Sequence, residues 1–170
     1  MDINSVISQI GNTPLVRLKQ ASDLTGCEIY GKAEYFNPGE SVKDRAALFI
    51  VQDALKRKLI RKGGTIIEGT AGNTGIGLAI VCKEYDLKLK IVIPKTQSIE
   101  KKETLIKLGA ELIEVDAVPY SNPKNYIKQS KKIADDLNKT NSNGVYWANQ
   151  FDNIINTEAH IQTTAEEIWN

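Results

Sequence analysis

A chain of 170 residues, 41% hydrophobic and 25% charged, is long enough to bury a core and too apolar to be read as disordered. Its 22 basic and 21 acidic residues leave a net charge of +1, which gives no electrostatic reason to expect nucleic acid or an anionic membrane as a partner. Cys27 and Cys82 form neither a metal-spaced cluster nor a disulfide framework, which fits a reducing compartment.

In chain order, Met1-Asp2-Ile3-Asn4 lacks the basic-then-apolar pattern of a signal peptide, and no apolar stretch approaches bilayer length, so a cytoplasmic protein is expected. Strand-like and helix-like runs alternate from about residue 42 to 147. Ser41-Val42-Lys43-Asp44 predicts a helix start, with Ser41 as cap and Asp44 three residues on, as in a capping box. Ala46, Ala47, Phe49, Ile50, Ala54 and Leu55 then recur at helical spacing and predict one buried face. After Gly63-Gly64, Thr65 to Glu68 reads as a strand, residues 69 to 77 as a glycine-rich turn, and Leu78 to Cys82 as a helix.

Leu89 to Ile93 reads as a second strand, stopped by Pro94. Ser98 is expected to cap a helix through Leu108, and Glu111 to Val115 is a third strand. Tyr126 to Leu137 is an amphipathic helix, Val145 to Trp147 a fourth strand, and Ala159 to Trp169 a last helix with no closing strand after it. Strands and helices in this order predict an α/β fold, a parallel sheet flanked by helices.

Gly69-Thr70-Ala71-Gly72-Asn73-Thr74-Gly75 lies between a strand and a helix. Backbone N–H groups, hydroxyls and a carboxamide at a helix N-terminus suit a carboxylate or phosphate. The same residues also suit a tight turn whose glycines serve packing. The pattern is neither the dinucleotide fingerprint nor a P-loop. Lys43 falls in the first turn of its helix, where a cation opposes the macrodipole. A lysine so placed is a candidate for bonding to a carbonyl, because only the neutral amine is a nucleophile; the plain alternative is a solvated surface lysine. His160, without an evident carboxylate or metal partner, reads as structural, and Trp147 and Trp169 as packing residues.

Three long stretches in order carry a resemblance: residues 10–18 (Ile-Gly-Asn-Thr-Pro-Leu-Val-Arg-Leu), 37–45 (Asn-Pro-Gly-Glu-Ser-Val-Lys-Asp-Arg) and 68–77 (Glu-Gly-Thr-Ala-Gly-Asn-Thr-Gly-Ile-Gly). The chain resembles the cysteine synthase and cystathionine β-synthase group of pyridoxal-phosphate enzymes. Residues 94–98, 108–111 and 147–151 fall where that group has comparable segments. The resemblance implies a Schiff-base role for Lys43, an Asn73 contact to the cofactor's 3′-oxygen, and a grip on the amino-acid carboxylate by Thr70, Ala71, Gly72 and Thr74, with Gln150 alongside. It also implies a small mobile domain of a tryptophan-synthase-β-like fold over 41–146, with 1–40 and 147–170 belonging to a larger, mostly missing domain, and a homodimer in full-length members.

The implied activity is replacement of the acetate of O-acetylserine by sulfide to give L-cysteine. The alternatives are cystathionine β-synthase, a serine/threonine dehydratase, or a non-catalytic remnant that binds a carboxylate. Ala71 stands where many cysteine synthases have Ser. The family's phosphate-cradling loop and the hydroxyl residue facing the pyridine nitrogen do not occur in these 170 residues. Apolar residues in 10–18 and 154–169 are accordingly expected to lie exposed.

Overall fold

The computed structural model describes residues 5–170, so the expectation about the first four residues lies outside it. A short two-stranded antiparallel sheet comes first: β1 (Leu15–Arg17) pairs with β2 (Tyr30–Lys32), and α1 (Lys19–Thr25) connects them. Neither strand is legible from alternation, because each is three residues long and lies on the surface.

The main sheet follows the expected alternation. Its elements are α2 (Lys43–Lys56), β3 (Thr65–Gly69), α3 (Asn73–Glu84), β4 (Lys88–Pro94), α4 (Ile99–Lys107), β5 (Glu111–Val115), α5 (Tyr126–Asn138) and β6 (Val145–Trp147). All four strands are parallel, in the order β5-β4-β3-β6. Side chains alternate across a strand, so neighbouring residues feed different layers. Ile66, Ile91 and Ile93 pack with α2, α3 and Leu105 of α4, whereas Ile67 and Val92 pack with Ala134 of α5. Helices therefore cover both faces, and the central strands are apolar on both sides.

Several expectations need correction. Val42, not Ser41, is the cap residue of α2, which opens at Lys43; the Ser41 hydroxyl accepts the Lys43 N–H at 3.2 Å. Asp44 makes no capping box, because its carboxylate turns back to the Gly39 N–H. Leu48 and Val51 join the buried face of α2, while Phe49 and Leu55 are only half-buried. Ser98 precedes α4 without a side-chain capping bond. The last helix starts earlier than expected, at α6 (Ile154–Ala159), where the Asn153 side chain accepts the Ile155 N–H. It continues through a π-helical stretch, His160–Ala165, into α7 (Glu166–Trp169). Trp147 packs as expected, but Trp169 is 90% exposed because among the described residues no element covers that side of α7.

Small residues set how closely the helices approach. Gly77 of α3 lies against the start of α2, where an added Cβ would stand 3.1 Å from the Asp44 Cα. Gly69 lies against α5, where a Cβ would be 2.7 Å from the Ile127 Cα. The first contact brings the N-terminal end of α2 beside that of α3. A buried ionic cluster fixes α2 from its other side. The Arg45 guanidinium forks between Glu34, at 2.8 and 2.9 Å, and Glu167 of α7, at 2.6 and 2.7 Å. Lys32 of β2 reaches the same Glu167.

Candidate functional site

After β3 the chain adds β4 and β5 on one side, then returns to place β6 on the other. Loops leaving parallel strands at such a reversal diverge, and the crevice outside the strand C-termini is where open α/β sheets bind ligands. Here the loop after β3 carries Thr70, Ala71 and Gly72, and the loop after β6 carries Gln150. Lys43, the first residue of α2, faces them. Lys43, Thr70, Gly72, Asn73, Thr74 and Gln150 line one open cleft of about 370 Å³. Six of the seven residues singled out in the sequence thus meet in one place.

Ala71 is the exception. It turns away into a recess of about 150 Å³ against α4, beside Ile76 and Leu105. A larger hollow of about 620 Å³, bounded by Leu55, Leu59, Arg61, Asn141 and Ser142, opens at the opposite ends of the strands and contains none of these seven residues.

The N-terminal end of α3 opens into the cleft. Gly72 precedes α3 in extended backbone, and among the described residues no side chain caps the helix. Of its first-turn N–H groups, that of Gly75 returns to the Gly72 carbonyl at 3.0 Å, while those of Asn73 and Thr74 stand at the positive end of the macrodipole, where an anion is favoured. The Thr70 hydroxyl accepts the Gly72 N–H at 3.3 Å and holds the turn. The Thr74 hydroxyl donates to Oε1 of Gln150.

Two residues outside the sequence-derived set belong to the same environment. Glu68, the residue before the turn, is wholly buried. Burial pushes its carboxyl up to about 7, against the N–H groups of Gln150, Gly69 and Asn149. Its Oε1 lies 3.4 Å from the Gln150 carboxamide nitrogen. The sequence signal was an acidic residue closing an otherwise apolar strand. His160 lies within electrostatic reach of Lys43. Burial, then the charges of Lys43 and Arg45, hold its imidazole below the usual range. Nothing local in the sequence marks that proximity, since 117 positions separate the two residues. Among the described residues no group of three or more His, Cys, Asp or Glu side chains is placed to hold a metal, and no helix is long and apolar enough to cross a membrane.

The chain is 58% identical to cysteine synthase 1 of Neurospora crassa over 160 residues, which is 94% of this chain and 41% of that protein. It is 44% identical to cysteine synthase of Dictyostelium discoideum, covering 98% of this chain and 43% of that one. It therefore spans less than half the length of these relatives. Among solved structures, a hydrogen sulfide-producing enzyme from Fusobacterium nucleatum superposes with a TM-score of 0.82 at 45% identity, covering 97% of this chain and 51% of that one. An O-ureido-L-serine synthase superposes with a TM-score of 0.83 at 38% identity, covering 97% and 49%. The family model for pyridoxal-phosphate dependent enzymes matches residues 6–170, and the chain belongs to that family.

Proposed function

We propose that this chain carries the lysine and the carboxylate grip of a cysteine synthase, which replaces the acetate of O-acetylserine by sulfide to give L-cysteine. One observation carries the reading: a primary amine, Lys43, shares a cleft with an uncapped helix N-terminus bearing Thr70, Asn73 and Thr74. That donor set fits the aldehyde end of pyridoxal phosphate, with Lys43 to hold the carbonyl carbon and Asn73 to donate to the ring oxygen. When bound, the cofactor supplies an electron sink for the substrate's α-carbon.

The chain's own residues do the rest. Thr70, Gly72 and Thr74, with Gln150, hold the amino-acid carboxylate on the N–H groups of Asn73 and Thr74, so the α-carbon is presented to Lys43. The Lys43 amine would accept the α-proton at Nζ. Within this reading, 41–146 is a small mobile domain, while 1–40 and 147–170 belong to a larger one, and full-length assemblies are homodimers. A cytoplasmic location is supported by two unpaired thiols, exposed Cys27 and buried Cys82.

The test is an absorbance spectrum of the chain incubated with pyridoxal phosphate, beside Lys43→Ala. The expected result is a band near the visible edge that borohydride fixes to Lys43 and that the variant lacks. An equal band in Lys43→Ala, or none in either protein, overturns the assignment of Lys43.

A further inference from the structure

Under the carboxylate-binding turn lies a hydrogen-bonded chain of three side chains, Glu68, Gln150 and Thr74. Glu68, the next-to-last residue of β3, is fully enclosed and has both oxygens partnered by amides alone. Gln150 supplies its backbone N–H to Oε2 and its carboxamide nitrogen to Oε1, each at 3.4 Å. The other end of that carboxamide, Oε1, accepts the Thr74 hydroxyl proton. A carboxamide has two unlike ends, so the group at one end dictates which way it lies.

We propose that Glu68 is a positioning residue for the carboxylate grip, setting through Gln150 the direction in which the Thr74 hydroxyl proton points. The proposal rests on the carboxylate-binding reading of this cleft. An ionised Glu68 can only accept, so the NH₂ of Gln150 faces it and the carbonyl end faces Thr74. The Thr74 proton is then committed to Gln150, and the hydroxyl offers only lone pairs to an anion in the cleft. A protonated Glu68 donates to Oε1 of Gln150, the carboxamide turns over, and its NH₂ faces Thr74. The Thr74 proton is thereby released to donate to a carboxylate.

Two consequences follow. Binding of a carboxylate and protonation of Glu68 favour each other, since each ligand shifts the state the other prefers. An arriving negative charge also disfavours a second one buried beneath it, which acts in the same direction.

Other groups round Glu68 titrate as well. Lys43 of α2 and Tyr126 of α5 line the cleft, and His160 stands by Lys43. On β4, Lys90 is paired with Glu111 and Lys88 is exposed; on α3, Cys82 is buried with its thiol pushed up to about 12. The charged residues of α5, such as Lys131 and Asp135, pair with one another on its outer side. A protonated His160 would by itself favour an anion at low pH, so the test must separate Glu68 from it.

The experiment follows the side-chain amide resonances of Gln150 and the carboxyl carbon of Glu68 by NMR as pH is varied, in the 170-residue chain and in Glu68→Gln. L-serine is then titrated into both proteins. The expected result is that the Gln150 amide moves with the same midpoint as the Glu68 carboxyl, and that this movement vanishes in Glu68→Gln. L-serine should bind roughly tenfold more tightly at about pH 6 than at about pH 8 in the native chain, the worth of one hydrogen bond to a charged group. Glu68→Gln should lose most of that dependence and keep only the part owed to His160. A Gln150 amide indifferent to the Glu68 titration, or an unchanged pH dependence in Glu68→Gln, overturns the inference. Failure of L-serine to bind the native chain at either pH counts against the carboxylate-binding reading, while the resonances of the ligand-free chain still decide the role of Glu68.

Discussion

Arg45 and Lys43 are two residues apart at the start of α2, yet their environments differ completely. Lys43 lines an open cleft, whereas the Arg45 side chain is 1% exposed and is held between two carboxylates. Burial works against the Arg45 charge, but its hydrogen bonds to Glu167 and Glu34 outweigh that and raise its pKa. Glu167 answers in kind. The Arg45 hydrogen bonds, helped by Lys32 and the Asn12 N–H, hold its carboxyl down to about 2 against the effect of burial. A carboxyl depressed in the folded state contributes stability that is present above its unfolded value and lost as pH falls through the folded one. Glu167→Gln should therefore cost roughly 3–5 kcal/mol at neutral pH, the scale for breaking a buried ion pair on one side. It should also flatten the loss of stability between about pH 4.5 and about pH 2, as read by urea unfolding across that range. A variant as stable as the native chain at pH 7, with the same acid limb, would remove the cluster from the account of what holds α2. Glu68 works in the opposite sense: its raised carboxyl contributes stability below about 4.5 that is lost as pH rises through about 7. Lys43 and the turn at 69–75 were legible in the sequence because a helix start and a strand-turn-helix are written in adjacent residues. Arg45–Glu167 and Lys43–His160 were not, because the residues meet only when the last helix packs on α2.

At the scale of elements, the sequence reading was secure where a segment buries one face and failed where it does not. The segments from α2 to β6 lie within a few residues of their expected bounds because an apolar period or run marks each, except that α3 opens at Asn73, five residues before the expected Leu78, since glycines read as a turn begin the helix. β1 and β2 escape because each is three residues long and none of their residues is buried, so no alternation is imposed on them. Caps were the weakest reading, since a suitable residue type says nothing about where its side chain turns. Ser98 and Asn125 make the contrast. Both precede a helix, but the Ser98 side chain makes no capping bond to α4, while Asn125 Oδ1 accepts the Ile127 N–H at 3.0 Å. The Asn125 amide also donates to the Val118 carbonyl at 2.8 Å, tying α5 to the loop before it. Asn125→Ala should therefore destabilise the chain by about 1–2 kcal/mol, and Ser98→Ala by no more than about 0.5 kcal/mol, in urea unfolding. Equal effects would mean that cap chemistry does not distinguish the two helices. The consequence reaches the cleft, because Tyr126, the first residue of α5, lines it and Gly69 packs directly on Ile127.

The whole molecule buries one side far better than the other. The central sheet is enclosed on both faces, with Ile50, Ile66, Ile67, Ile91 and Ile93 at zero exposure. The first and last segments are not: Val16, Leu18, Tyr30, Tyr35 and Phe36 lie 44–66% exposed, and Ile154, Ile161, Ile168 and Trp169 51–90%. Scattered apolar residues are ordinary on a protein surface, but these fall at the N-terminal segment and the last helix, which the Glu34–Arg45–Glu167 cluster binds to each other. Two weakly covered segments joined by one ionic cluster make a surface that gains free energy by meeting another apolar surface. The chain should therefore associate as its concentration rises. Each large side chain removed from water contributes about 1.5–3 kcal/mol, so even a few suffice for measurable affinity. Sedimentation velocity over a hundredfold range of concentration reads this directly. The expected outcome is a rising weight-average mass in the native chain, reduced in Ile168→Lys with Trp169→Lys. Those two positions are exposed, so their substitution should leave the core and the unfolding transition intact. A native chain that stays monomeric throughout, with a sharp unfolding transition at high temperature, would mean that the enclosed sheet alone stabilises the molecule and that the exposed segments need no cover.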